Sequence, residues 1–161
     1  MNQNGQFILL VDDNPDDVEM TLMAFGKNNI VNEVVVVHDG QEALDYLFGT
    51  GPWKGRDTLA LPHMVLLDLN MPKVSGLQVL SRMRADPRTK LLPVVILTTS
   101  SEDKDIISSY DLGANSYVRK PVDFEQFVEA VRQLGLYWLV LNERPPAGAA
   151  QWGPGTEQSK T

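Results

Sequence analysis

Met64-Val65-Leu66-Leu67-Asp68-Leu69-Asn70-Met71-Pro72 is the stretch whose reading decides the fold. Four apolar residues run into one carboxylate, and a turn follows at once. Nothing polar alternates with Val65 to Leu67, so the run predicts a strand buried on both faces. Asp68 stands where that strand ends. In open parallel α/β sheets ligands gather at the carboxyl ends of strands. An aspartate there is either a loop cap or a working carboxylate, and the rest of the chain must decide which.

Working outward, three further apolar runs and one short mixed run predict the other strands. Phe7 to Val11 (FILLV) ends in Asp12-Asp13, and Val34 to Val37 predicts a second buried strand. Pro93 to Leu97 (PVVIL) ends in Thr98-Thr99, and Ser116 to Val118 runs into Arg119-Lys120-Pro121. Helical signals separate the strands. Asn14 is placed to cap a helix with Pro15 in its first turn, and Asp16 and Asp17 suit the positive end of its dipole. That helix runs to about Asn28 with Val18, Leu22 and Phe25 on its inner face. Asp39-Gly40 opens a second helix bearing Ala43, Leu44 and Leu47. Ser75-Gly76 opens a third, with Leu77, Val79, Leu80 and Met83, which Asp86-Pro87 closes. Ser100-Ser101-Glu102-Asp103 has the form of a capping box, and Gly113 suits the end of that fourth helix. A last helix spans about Asp123 to Asn142. Five strands alternating with five helices, without an internal repeat, predict a doubly wound α/β domain: a parallel sheet with helices on both faces.

Residues 49–62 (GTGPWKGRDTLALP) have no helical or strand period and predict a loop longer than usual. It enters the central strand from its amino end, opposite Asp68, and is read as connecting or docking. One domain is expected over residues 1–143, including an extended C-terminal helix. Residues 144–161, rich in Pro, Gly and Ala with Trp152, are expected to be a disordered tail.

The composition narrows the function. With 14 Lys and Arg against 21 Asp and Glu among 161 residues, the net charge is −7. That argues against nucleic acid and anionic membrane as main partners. Cysteine is absent, so there is no disulfide framework or thiolate site. His38 and His63 lie in separate segments and lack zinc-ligand spacing. The polar start, residues 1–6, has no signal-peptide core, and no apolar run is long enough for a membrane span. A cytoplasmic protein is expected.

Right-handed crossovers bring every strand's carboxyl end to one edge of the sheet. Asp12, Asp13, Asp68, Thr98 and Lys120 should therefore meet there. Three carboxylates in one pocket repel one another unless a cation joins them, and oxygen ligands with room for water suit Mg²⁺. Lys120 can neutralise an incoming phosphoryl group, Thr98 can donate to one of its oxygens, and Asp68 is the central nucleophile. Each residue has a plain structural reading as a cap or a solvated charge. Their joint placement is what points to phosphoryl transfer onto a carboxylate.

Leu10-Val11-Asp12-Asp13, Leu67-Asp68-Leu69-Asn70-Met71-Pro72, Gly76, Leu97-Thr98-Thr99 and Tyr117-Val118-Arg119-Lys120-Pro121 resemble the receiver domain of two-component response regulators. The resemblance covers about residues 6 to 142. It implies a flavodoxin-like, CheY-like sheet of strand order 2-1-3-4-5. It implies Asp68 as the residue phosphorylated by a partner histidine kinase, with Thr98 and Lys120 holding the phosphoryl group. It also implies Mg²⁺ held by Asp13, Asp68 and the backbone carbonyl of Asn70, with Asp12 acting largely through water. Tyr117 matches the aromatic whose rotamer reports activation, and Lys120-Pro121 a bond that is typically cis in the family. The long loop and the ending Leu134 to Glu143 resemble single-domain regulators that accompany bacterial phytochrome kinases. The protein implied is a phospho-acceptor switch rather than an enzyme acting on an outside substrate. A phosphatase of the haloacid-dehalogenase type is disfavoured, because Asn70 stands where that class has a second aspartate. A pseudo-receiver that works without phosphorylation is disfavoured, because none of the acidic pair, Asp68 or Lys120 is missing.

Phe124, Phe127, Val128, Val131 and Leu134 form one stripe sufficient to cover the sheet. Beyond it Leu136, Tyr137, Trp138, Leu139, Val140 and Leu141 are apolar all round. A helix of this length should project past the sheet edge. Leu136, Tyr137, Trp138, Val140 and Leu141 are therefore expected to close a two-fold homodimer. The downstream protein is not identified by the sequence.

Overall fold

The computed structural model describes residues 7–120 and 123–143. Strands β1 (Ile8–Val11), β2 (Val34–Val37), β3 (Met64–Leu67), β4 (Val94–Thr98) and β5 (Ser116–Arg119) alternate with α1 (Pro15–Lys27), α2 (Gly40–Phe48), α3 (Gly76–Ala85), α4 (Asp103–Asp111) and α5 (Phe124–Leu134). All pairings are parallel, in the order β2-β1-β3-β4-β5. The expected α/β architecture and strand order are both present. The order reverses between β1 and β3, which makes their carboxyl ends the switch point of the sheet.

The two-residue period of the strands divides the core into two layers. Leu9, Val11, Val65, Leu67, Val94 and Ile96 face Leu44, Leu47, Val79, Leu80 and Met83 of α2 and α3. Ile8, Leu10, Met64, Leu66, Val95 and Leu97 face Val18 and Phe25 of α1 and Phe127, Val131 and Leu134 of α5. Capping follows local chemistry. Asn14 accepts from the Asp16 and Asp17 amides, Asp39 from Glu42, and Ser75 forms a complete capping box with Gln78. Gly113, at φ 103°, follows α4 in the left-handed conformation.

Several local expectations need correction. β2 is an edge strand, so Val34 to Val36 are only half-buried and Val37 alone is buried. Leu22 of α1 is 40% exposed, and Thr21 takes the inner position. The Thr21 hydroxyl donates to the Asp17 carbonyl at 2.8 Å, which satisfies a polar group in a buried place. The capping box expected at Ser100 to Asp103 does not form. Glu102 caps α4 without a side-chain bond, while the Ser100 hydroxyl reaches further, to Asp105, at 2.6 Å.

The 49–62 loop contains a 3-10 turn, Gly51–Trp53, and docks under α2. Trp53 packs edge-on against Tyr46 at 4.9 Å between centroids, and the Arg56 guanidinium lies 3.9 Å above the Tyr46 ring.

The last helix differs most from expectation. After Leu134 it widens into a π-helical segment, Gly135–Leu141, closed by the Asn142 amide donating to the Tyr137 carbonyl. Gly135 lies against Ile30, and a Cβ there would meet the Ile30 side chain at 2.8 Å. The segment does not leave the core behind. Trp138 is 8% exposed and joins the α1/α5 layer, so it cannot contribute its ring to a dimer surface as expected. The residues around it remain outside, Leu136 at 47%, Tyr137 at 50%, Val140 at 70% and Leu141 at 62% exposure. Trp138 continues the 4-3-4 spacing of Phe127, Val131 and Leu134, which is the helical stripe that claims it. The expected tail, residues 144–161, lies outside the described residues, as does the Lys120-Pro121 bond.

Candidate functional site

The register of the sheet assembles the site. Val11 pairs with Leu67, so Asp12 and Asp68 leave adjacent strands side by side. The Asp68 amide donates to the Val11 carbonyl and the Asp12 amide to the Val37 carbonyl. On the other flank Thr98 pairs with Arg119, and the Lys120 amide donates to the Thr98 carbonyl at 2.7 Å. Lys120 is thereby held by backbone at the height of the carboxylates. Gly76 leaves room on the third side, since a Cβ there would collide with the carbonyl oxygen of Asp68.

Asp12, Asp13 and Asp68 each offer a carboxylate oxygen, and these lie within 4.8 Å of one another. Asp12 and Asp68 are buried, while Asp13 is exposed at the mouth. The Lys120 ammonium, 5% exposed as a residue, is 2.7 Å from Asp12, 2.9 Å from Asp17 and 3.6 Å from Asp68. Burial raises the Asp12 carboxyl above its ordinary range; Lys120 and the Asn14 amide pull it part of the way back. Burial alone would lower the Lys120 ammonium, but Asp12, Asp68 and Asp17 outweigh it and hold the lysine above its ordinary value. The lysine is therefore charged throughout the physiological range.

The remaining expected residues border this cluster. The Asn70 amide donates to Asp68 at 3.4 Å. Thr98 is fully buried, and its hydroxyl accepts from the Ser100 amide at a long 3.5 Å. Tyr117 is half-buried, and its hydroxyl donates to the Ser100 carbonyl at 2.9 Å, tying β5 to the loop after β4. Burial raises the Tyr117 phenol above its usual value, so it stays a donor. Leu136, Tyr137, Trp138, Val140 and Leu141 belong to the π-helical segment after α5 rather than to this cluster.

One participant was not visible as such in the sequence. Asp17 reads as a dipole partner of α1, yet its carboxylate reaches Lys120, 103 positions away. Away from the cluster, Arg84 donates to the Gly113, Thr89 and Lys90 carbonyls and to Asn115, fixing the turn before β5. No local signal marks either role.

A parallel 2-1-3-4-5 sheet with this acid-lysine cluster at its carboxyl edge defines a CheY-like receiver. The chain belongs to the response regulator receiver domain family, which it matches over residues 8–132. It is 41% identical to the probable methanogenesis regulatory protein FilR2 of Methanothrix harundinacea over 86% of each chain. It is 33% identical to response regulator Rcp1 of Synechocystis, covering 87% of this chain and 93% of Rcp1. Among solved structures, the phosphorylated cyanobacterial phytochrome response regulator RcpA superposes with a TM-score of 0.80 at 37% identity, over 88% of this chain and 99% of that one. Rcp1 itself has been solved in a Mn²⁺-bound form, similar at a TM-score of 0.79 and 32% identity, over 88% of this chain and 99% of that one. The chain is thus a receiver-domain response regulator close to phytochrome-associated regulators. Receivers of this family bind Mg²⁺ at an acidic cluster, and Asp12, Asp13 and Asp68 suit a hard divalent cation.

Proposed function

We propose that this protein is a single-domain response regulator whose Asp68 accepts a phosphoryl group from a sensor histidine kinase of the bacterial phytochrome class, a reading supported by its likeness to phytochrome response regulators. The observation that carries this reading is the pairing of buried Asp68 with the buried Lys120 ammonium beside two further carboxylates. In the transfer the P–N bond to the kinase histidine breaks and a P–O bond to Asp68 forms. Lys120 offsets the charge arriving on Asp68, and the Thr98 hydroxyl, which accepts from the Ser100 amide, keeps its own proton to donate to a phosphoryl oxygen. Asp12, Asp13 and Asp68, with the Asn70 carbonyl, would hold Mg²⁺, which supplies charge neutralisation to the phosphoryl oxygens. Movement of Thr98 reaches the surface through Ser100, which also carries the Tyr117 contact. No helix among the described residues is long and apolar enough to cross a membrane, in keeping with a cytoplasmic switch.

Acetyl phosphate with Mg²⁺ should label the protein at one site, separable on a Phos-tag gel. Asp68→Asn should abolish labelling; full labelling of that variant would move the acceptor elsewhere. Output is proposed to run through a homodimer built on Leu136, Tyr137, Val140 and Leu141, with Trp138 supporting them from inside. In sedimentation, Tyr137→Glu with Val140→Glu should yield monomers. A wild-type monomer at tens of micromolar, with and without phosphorylation, would end the dimer reading.

A further inference from the structure

We infer that Asp17 is a positioning residue for Lys120: with Asp12 it takes two of the ammonium's three donors and leaves the third facing Asp68. This rests on the reading of Asp68 as phospho-acceptor. The Lys120 ammonium makes short bonds to Asp12 Oδ2, at 2.7 Å, and to Asp17 Oδ2, at 2.9 Å. Its distance to Asp68 Oδ2 is 3.6 Å, beyond a good hydrogen bond. An ammonium has three N–H donors in tetrahedral array. Two fixed acceptors determine the direction of the third, so Asp12 and Asp17 together aim it at the acceptor carboxylate.

Asp12 alone could not do this. A single bond leaves the ammonium free to rotate about the N···O axis, and a four-carbon side chain has many rotamers. Asp17 adds the second anchor from a different element. Its backbone is rigid: its amide donates to Asn14 Oδ1 at 3.1 Å and its carbonyl accepts from Thr21 at 2.8 Å. Its side chain is 25% exposed while that of Lys120 is 3% exposed, so the pair lies at the wall between the pocket and solvent. Asp16 is the natural contrast. It occupies the same first turn and carries the same charge, but it is exposed, and no ion pair to Lys120 is formed by it among the described residues.

The test compares Asp17→Ala, Asp17→Glu and Asp16→Ala in the full chain. The rate of Asp68 labelling is followed against acetyl phosphate concentration at saturating Mg²⁺. Misplacing a reacting partner by about an ångström costs up to about a hundredfold, and a loosened lysine should cost Asp17→Ala about tenfold in the saturating rate. The half-saturating donor concentration should stay unchanged, Asp17→Glu should recover most of the rate, and Asp16→Ala should match wild type. Metal-free protein with ¹⁵N-labelled lysine provides a readout independent of phosphorylation. The hydrogen-bonded Lys120 ammonium, assigned with Lys120→Arg, should give a cross-peak in wild type and Asp16→Ala that Asp17→Ala loses to solvent exchange. If Asp17→Ala fails to fold, Asp17→Leu takes its place, close in size and without an acceptor oxygen. Wild-type labelling and an intact cross-peak in Asp17→Ala, or in Asp17→Leu in its place, would overturn the inference, as would an equal loss in Asp16→Ala. If wild type takes no label, the receiver reading fails on its own account, and the lysine cross-peak still decides whether Asp17 anchors Lys120.

Discussion

The two edges of the sheet are built by the same crossovers and are chemically opposite. At the carboxyl edge, buried Asp12 and Asp68 share one lysine with Asp17, and Asp13 adds a fourth carboxylate. At the amino edge, Phe7, Tyr46 and Trp53 stack edge to face, at 6.3 and 4.9 Å, under the Arg56 guanidinium. Buried charge is stabilising only when fully paired, whereas aromatic burial stabilises without such conditions. The comparison teaches where each task resides. The carboxyl edge holds repulsion that a cation can relieve, and the amino edge supplies stability far from it.

Substitutions at the two edges should therefore separate stability from labelling. Lys120→Ala has the largest expected effect, because it leaves Asp12 and Asp68 buried without their counter-charge. It should abolish efficient labelling and cost about 3–5 kcal/mol near neutral pH without metal, the range for breaking a buried ion pair. The sign with pH follows from Asp12, whose folded pKa already lies above its unfolded value. As pH falls through that raised pKa, Asp12 takes up a proton and the unpaired charge disappears, so the deficit against wild type should shrink. A deficit that grows on acidification, measured by denaturant unfolding across pH, would show that Asp12 is not the group left exposed to the loss.

At the opposite edge, Tyr46→Ala should cost about 3 kcal/mol, the lower end for a large buried aromatic, because the loop above it can close in. Labelling of the folded fraction by acetyl phosphate should keep its wild-type rate. A slowed rate there would join the two edges mechanically and break the contrast. Mg²⁺ should act only at the carboxyl edge, stabilising the fold by about 2.7 kcal/mol at a hundredfold excess over its Kd. Thermal melts should show this shift in wild type and Tyr46→Ala and not in Asp13→Ala. Because Asp13 is exposed, its removal should raise the metal-free melting temperature only slightly. Ser100→Ala has the smallest expected effect. It frees Asp105 at the start of α4 and should alter the lifetime of the phosphorylated state about two- to fivefold, as a weak hydrogen-bonding change does, with Mg²⁺ affinity unchanged. An altered Mg²⁺ affinity would place Ser100 in the metal site.

Much of this was legible residue by residue. Asp12, Asp68 and Thr98 each stand at the end of an apolar run and Lys120 follows a short strand pattern, and a parallel sheet has only one edge on which such residues can meet. Asn14, Asp39 and Ser75 cap their helices because the acceptor and the amides it serves lie within three residues of each other. Thr21 and Leu22 show the limit of that reading. The inner position went to the polar residue, since its hydroxyl found a carbonyl one turn back. Trp138 was legible in principle from its spacing after Phe127, Val131 and Leu134. The continuous apolar run around it hid that stripe.

The sequence alone determined the alternation of strands and helices, the cap at Asn14 and the residues that end each strand, because those depend on interactions within a few positions. Only the tertiary structure decided which charges pair, which aromatic is inside and where the last helix turns. Asp17 meets Lys120 across 103 positions, Arg84 meets Gly113 across 29, and Gly135 lies against Ile30. Such contacts are set by the register and packing of whole elements, and the free energy of burying or pairing a side chain is defined only once its neighbours from distant segments are in place.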